Sequence, residues 1–115
     1  MAAPQPQLTP EQQKEIQRYY ELLQGLEAIR YQIHQLELEN HDVENAQRET
    51  KDLPPDTTIY RYVGRLLYQT TVEEVHKYLK EQKEKLEVSL SSLKIREQKI
   101  LASLKEIESK LPRQQ

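Results

Sequence analysis

"IYRYVGRLLYQTT", residues 59–71, is the one stretch of this chain whose side chains do not repeat at helical spacing. β-Branched, aromatic and aliphatic residues surround Gly64, one of only two glycines, and that is the composition of a strand, a turn and a second strand. Gly64 and Arg65 fit a two-residue connection with glycine in the first central position, which is what a type II′ turn requires. The expected strands are residues 57–62 and 66–71. Side chains alternate along a strand, so Tyr60 and Tyr62 share one face, and Leu66 and Tyr68 likewise share a face. A lone two-stranded hairpin is marginal in water. This one has two unpaired edges and apolar groups on both faces, and such edges pair with other chains. Ile59, Tyr60, Tyr62, Val63, Gly64, Leu66, Leu67 and Tyr68 are therefore expected to act as an assembly element that joins several copies, or relatives, into a larger sheet or barrel.

On either side the sequence reads as helix. Thr9 and Gln12 make a capping box with Pro10 at the first helical position. From Tyr19 the seam steps by three and four through Leu22, Leu26, Ile29, Ile33 and Leu36, then turns polar through Asn40, Val43, Gln47 and Thr50. Consecutive prolines in "DLPPD", residues 52–56, stop it. Thr71 and Glu74 make a second capping box, followed by a seam through Val72, Val75, Leu79, Gln82, Leu86, Leu90, Leu93, Glu97, Ile100, Leu104, Ile107 and Leu111. Its two successive steps of four, Gln82 to Leu86 to Leu90, form a stutter that relaxes the supercoil locally. Pro112 ends that helix. The two helices are of nearly equal length, each roughly 60 Å at 1.5 Å per residue. Folding the chain at its middle then pairs Leu36 with Leu86, Ile29 with Leu93 and Leu22 with Ile100.

The fold class expected is therefore mostly α: a long antiparallel two-helix coiled coil with one β-hairpin between the helices that joins an intersubunit β-barrel. The organisation is a disordered tail at 1–8, a single domain at 9–111 (helix 9–52, hairpin 57–70, helix 71–111) and a tail at 112–115. Composition agrees. The chain has 115 residues, 36% of them hydrophobic and 31% charged, and a mean hydropathy of −0.92, too little for an ordinary compact core. All seven aromatics are tyrosines, which suit surfaces buried only on assembly. A net charge of −2 with both signs interleaved gives no field for nucleic acid or an anionic membrane. Cysteine is absent, and no run of about 18 apolar residues suggests a membrane span. A soluble, cytoplasmic protein is expected.

A β-hairpin set between two antiparallel coiled-coil helices resembles the β-type subunits of prefoldin, a hexameric co-chaperone. The resemblance covers nearly the whole chain and is carried by "IYRYVGRLLYQTTVEEVHKYLKEQKE": Tyr60, Val63, Gly64 and Leu66 in the hairpin, then Thr71, Val72, Glu74 and Val75 opening the second helix. Within the family it looks closest to the eukaryotic subunit 2 branch, through these residues and "LENHDV" at 38–43. Arg65 after the turn glycine and the short C-terminal tail depart from the family pattern. The resemblance implies a hexamer of two α-type and four β-type subunits whose hairpins build a double β-barrel platform from which six coiled coils hang. It also implies an ATP-independent holdase that captures unfolded proteins, actin and tubulin among them, between the coiled-coil tips and delivers them to a group II chaperonin.

The end remote from the hairpin carries more apolar residues than one seam needs. Ile16, Tyr20 and Leu23 lie off the first seam and Leu101 off the second. The expected client contacts are Ile16, Tyr19, Tyr20, Leu23, Leu101, Leu104, Ile107 and Leu111, individually weak and effective through several arms at once. The alternative is that they merely widen a buried stripe. Asn40 either fixes register or is tolerated.

Other signals are weaker. His34, His41 and His76 do not converge at metal-ligand spacing and read as solvated surface histidines. Runs such as "KEQKEKLE" read as i to i+4 ion pairs, and no nucleophile elbow, phosphate loop or dinucleotide fingerprint occurs. No cofactor and no enzymatic activity are expected. Arg61 and Arg65 among tyrosines have the residue types that clamp a single nucleic-acid strand, but the near-neutral chain lacks the basic stripe an RNA-binding arm would want. The competing function is a structural tether or adaptor that oligomerises through its hairpin.

Overall fold

The computed structural model describes residues 7–111, so the tail at 112–115 with Pro112, and most of the tail at 1–8, lie outside the described residues. Helix α1 is Pro10–Thr50, strands β1 and β2 are Thr58–Val63 and Leu66–Thr71, and helix α2 is Val72–Lys110. The fold is mostly helical, two long helices with a hairpin between them. The described chain divides into two compact units: a terminal unit of residues 7–32 with 93–111, and a hairpin unit of 33–92.

α1 begins where its capping box places it. Gln12 N donates to Thr9 Oγ1 at 3.1 Å and Thr9 N to Gln12 Oε1 at 2.9 Å, so two donors that a helix start leaves without partners are satisfied reciprocally. The second box forms only by half. Glu74 N donates to Thr71 Oγ1 at 3.3 Å, while the Glu74 carboxylate lies 3.9 Å from Lys77 Nζ instead. α2 starts directly off a strand. Its first amides are met by the preceding loop: Val72 N donates to Thr57 O and Glu73 N to Pro55 O, both at 3.0 Å.

The seams are buried as their spacing requires. In the terminal unit Leu26, Ile29, Leu104 and Ile107 are buried, and in the hairpin unit Ile33, Leu79, Leu86, Leu90 and Val72, which has no exposure at all. The remaining seam positions are half-buried, including the polar Asn40, Gln47, Gln82 and Glu97. Asn40 makes no bond to α2. Its Nδ2 donates along its own helix to Glu44 Oε1 at 3.0 Å, and its Oδ1 is out of water without a partner.

The pairing differs from the equal-length expectation by about one helical turn. In the terminal unit Tyr19 reaches Glu108 rather than Ser103, and Arg30 reaches Glu97 rather than Ser92. In the hairpin unit Thr50 meets His76 rather than Val72. Because α1 stops at Thr50 and the first amides of α2 are bonded to the 55–57 loop, the first turn of α2 lies beside that loop. α1 is met only from the second turn onward.

The hairpin register pairs Thr58 with Thr71 through Val63 with Leu66, leaving Gly64 and Arg65 as the two-residue turn. Gly64 has φ of 59°, and no non-glycine residue among those described has positive φ. A positive φ at the first central position only is the type II′ pattern. A Cβ at position 64 would meet nothing within 4 Å, so the demand for glycine is purely conformational. Gly64→Ala is expected to cost on the order of 1–2 kcal/mol of local stability, read as faster amide exchange across residues 58–71 with no change along the helices.

Candidate functional site

Strand alternation and the observed register give the hairpin two unlike faces. Ile59, Arg61, Val63, Leu66, Tyr68 and Thr70 lie on one, and Thr58, Tyr60, Tyr62, Leu67, Gln69 and Thr71 on the other. The first face is partly covered: Ile59, Arg61 and Thr70 are half-buried. The second is open, with Tyr60 at 65% and Tyr62 at 75% exposure, and Leu66 at the turn end of the first face is 71% exposed. Val63, Leu67 and Tyr68 are exposed too. Both strands have a free edge, since the sheet has only two strands.

Two side chains that tie this unit together carry no sequence signal of that role. Arg61 stacks on the Tyr78 ring of α2 with Cζ 3.4 Å from the centroid, and its Nη1 donates to Tyr68 Oη at 2.9 Å. His76, expected as a solvated surface histidine, is half-buried. Its Nε2 lies 3.1 Å from both Thr50 O and Thr50 Oγ1. The Thr50 hydroxyl already donates to Ala46 O at 2.7 Å, so both Thr50 oxygens accept, and the His76 Nε2 carries the hydrogen. His76 thus caps the C-terminal end of α1 from the neighbouring helix. His34 and His41 are exposed.

The terminal unit sorts the expected client contacts into three groups. Tyr20 at 62% and Leu23 at 37% exposure stand free, with the Tyr20 ring edge-on to Tyr19 at 6.0 Å between centroids. Ile16, Tyr19, Leu101 and Leu111 are half-buried. Leu104 and Ile107 are 5% and 2% exposed: they fill the seam, and nothing outside reaches them while the helices stay paired. Leu8, just before the helix, adds an exposed apolar side chain that seam counting passes over.

Tyr19 Oη donates to Glu108 Oε1 at 2.8 Å. That bond first, then partial burial and the negative charge of Glu108, hold the Tyr19 pKa above its usual 10.0. Arg30 and Glu97 form the other cross-helix polar contact of this unit, at 3.1 Å. Among the described residues no helix is long and apolar enough to cross a membrane, and no group of three or more His, Asp or Glu is placed to hold a metal.

The family model described as "Prefoldin subunit" matches residues 13–115. The prefoldin β subunit of Pyrococcus horikoshii is 36% identical over 88 residues, 76% of this chain and 75% of that one. That of Archaeoglobus fulgidus is 31% identical over 105 residues, 91% of this chain and 90% of its own. The crystal structure of the prefoldin β subunit from Thermococcus strain KS-1 superposes with a TM-score of 0.85 at 30% identity, covering 92% of this chain and 93% of that one. The β2 subunit from the same strain gives 0.72 at 29% identity, covering 80% and 98%.

A raised tyrosine pKa means the Tyr19 contribution is full below pH 10 and is lost as the pH climbs through the raised value; Tyr19→Phe should remove that alkaline loss from a thermal-midpoint-versus-pH curve. His76→Ala removes the N–H that the two Thr50 oxygens share, leaving the carbonyl only its bond from Leu53 N at 3.2 Å, and should destabilise the subunit by about 1 kcal/mol, measured by denaturant unfolding, with faster exchange at residues 50–53.

Proposed function

Because the chain belongs to the prefoldin subunit family, whose members are chaperones that work as hetero-oligomers with one another, we propose that it serves as a β-type subunit of an ATP-independent holdase. Two α-type and four β-type subunits make up the hexamer, in the cytoplasm. The complex captures unfolded proteins, actin and tubulin among them, at the ends of its helix pairs and passes them to a group II chaperonin.

The observation that carries the reading is exposed apolar surface at two places, beside which Tyr31, Leu38, Val88 and Ile95 are also exposed along the helices. One is the hairpin, with free edges and exposed Tyr60, Tyr62, Leu66 and Leu67, the surface that other subunits' strands would extend and cover. The other is the helix-end surface around Tyr20 and Leu23, flanked by half-buried Ile16 and Leu101. A partly buried apolar side chain contributes roughly 1–2 kcal/mol. That is weak enough to release a client, and several subunits acting on one chain raise the avidity by orders of magnitude.

The test separates the two surfaces. Complex assembled with an α-type partner is mixed with a denatured client diluted from denaturant, and light scattering is followed. Tyr62→Asp with Leu66→Asp should abolish assembly and leave a helical monomer. Tyr20→Ser with Leu23→Ser should leave the hexamer intact and weaken suppression of aggregation several-fold. An intact wild-type hexamer that suppresses nothing would sink the holdase reading and leave a structural tether.

A further inference from the structure

The hairpin joins the helices at its base, where Val72 N and Glu73 N donate to Thr57 O and Pro55 O. Beyond the base the face carrying Tyr60 and Tyr62 is exposed among the described residues. A strand pair held only at one end swings, and a swinging edge docks slowly on its partners. One contact works against this. Halfway along β1, the Arg61 guanidinium lies flat against Tyr78 of α2 at 3.4 Å, is held from the side by Tyr68 Oη at 2.9 Å, and is 5.9 Å from the Tyr68 ring centroid.

The chemistry of this contact is unusual in what it leaves out. Glu74 and Glu81 line the same open groove, of about 370 Å³, yet among the described residues Arg61 takes part in no ion pair. Its partners are two aromatic side chains. The two carboxylates offset Arg61 and Lys77, which also lines the groove, and leave no basic field for a nucleic-acid backbone. A planar cation between a strand and a helix fixes direction as well as distance, because it stacks in one plane and donates in another. Lysine would supply the charge without the plane.

We propose that the Arg61–Tyr78 stack is a brace that sets the attitude of the strand pair on α2 before assembly, so that Arg61 and Tyr78 are positioning residues for subunit association. The inference rests on the hairpin being the assembly surface. Holding the free edges in their docking orientation removes part of the ordering entropy that association otherwise costs. The brace therefore acts on the rate at which neighbouring subunits are gained, and leaves the helical pairing of the lone subunit alone.

The test uses the full chain with an α-type partner, following association by stopped-flow light scattering and the lone subunit by circular dichroism and NMR. Arg61→Lys and Tyr78→Leu should each slow association roughly threefold to thirtyfold, the equivalent of a cation–π contact. Combining them should cost no more than either alone. Tyr78→Phe keeps the ring and should associate at the wild-type rate. The helical melting curve should be the same for all four. In the wild-type subunit the Arg61 side-chain protons should show an upfield ring-current shift that Tyr78→Leu abolishes. Wild-type association by Arg61→Lys and Tyr78→Leu, or absence of the ring-current shift, would overturn the brace. Tyr62→Asp with Leu66→Asp is the control: if that variant also assembles normally, the assembly reading of the hairpin has failed rather than the brace alone.

Discussion

The first amides of α2 are the constraint on which the rest of this chain depends. A helix that starts directly at the end of a strand has no preceding turn to satisfy its leading N–H groups, and here the loop 55–57 supplies the missing acceptors while Thr71 supplies a third. Val72, in the middle of these bonds, is the one side chain of the hairpin unit with no exposure. These bonds also set the register. With the first turn of α2 bonded to the loop, α1 is met one turn further on, where His76 is in place to cap Thr50.

From that junction the helices need little. Two narrow seams carry polar residues at several positions, and only nine hydrophobic side chains are buried among the described residues, so the chain buries enough to pair two helices and no more. Much of its large apolar surface faces outward, on the hairpin, around Tyr20 and Leu23, and along the helices at Tyr31, Leu38, Val88 and Ile95. The exposed hairpin residues lie on strands with unpaired edges, and prefoldin subunits form hetero-oligomers with one another.

The seams, the first capping box, the II′ turn and the strand pairing were legible in the sequence because each is a local pattern: a spacing of three and four, a Thr with Gln three residues on, a glycine in a two-residue turn. The one-turn offset was not, because it depends on hydrogen bonds between the loop and a helix start that equal-length folding ignores. His76 read as a surface histidine since nothing local marks a residue that caps a different helix. Arg61 stood out beside its tyrosines, but its partner Tyr78 is seventeen residues away, and only the tilt of the hairpin over α2 brings the two together. At the helix ends, counting off-seam apolar residues found Tyr20 and Leu23. It could not tell that Leu104 and Ile107, on the seam itself, are filled positions with no free surface.

The sequence separations of the cross-helix bonds carry a consequence for how the pair comes together. Thr50 and His76 are 26 residues apart, whereas Tyr19 and Glu108 are 89 apart. Closing the longer loop directly from an unfolded chain costs roughly 1 kcal/mol more in entropy than closing the shorter one. Loop entropy therefore favours Thr50–His76 over a direct Tyr19–Glu108 closure as the first cross-helix contact.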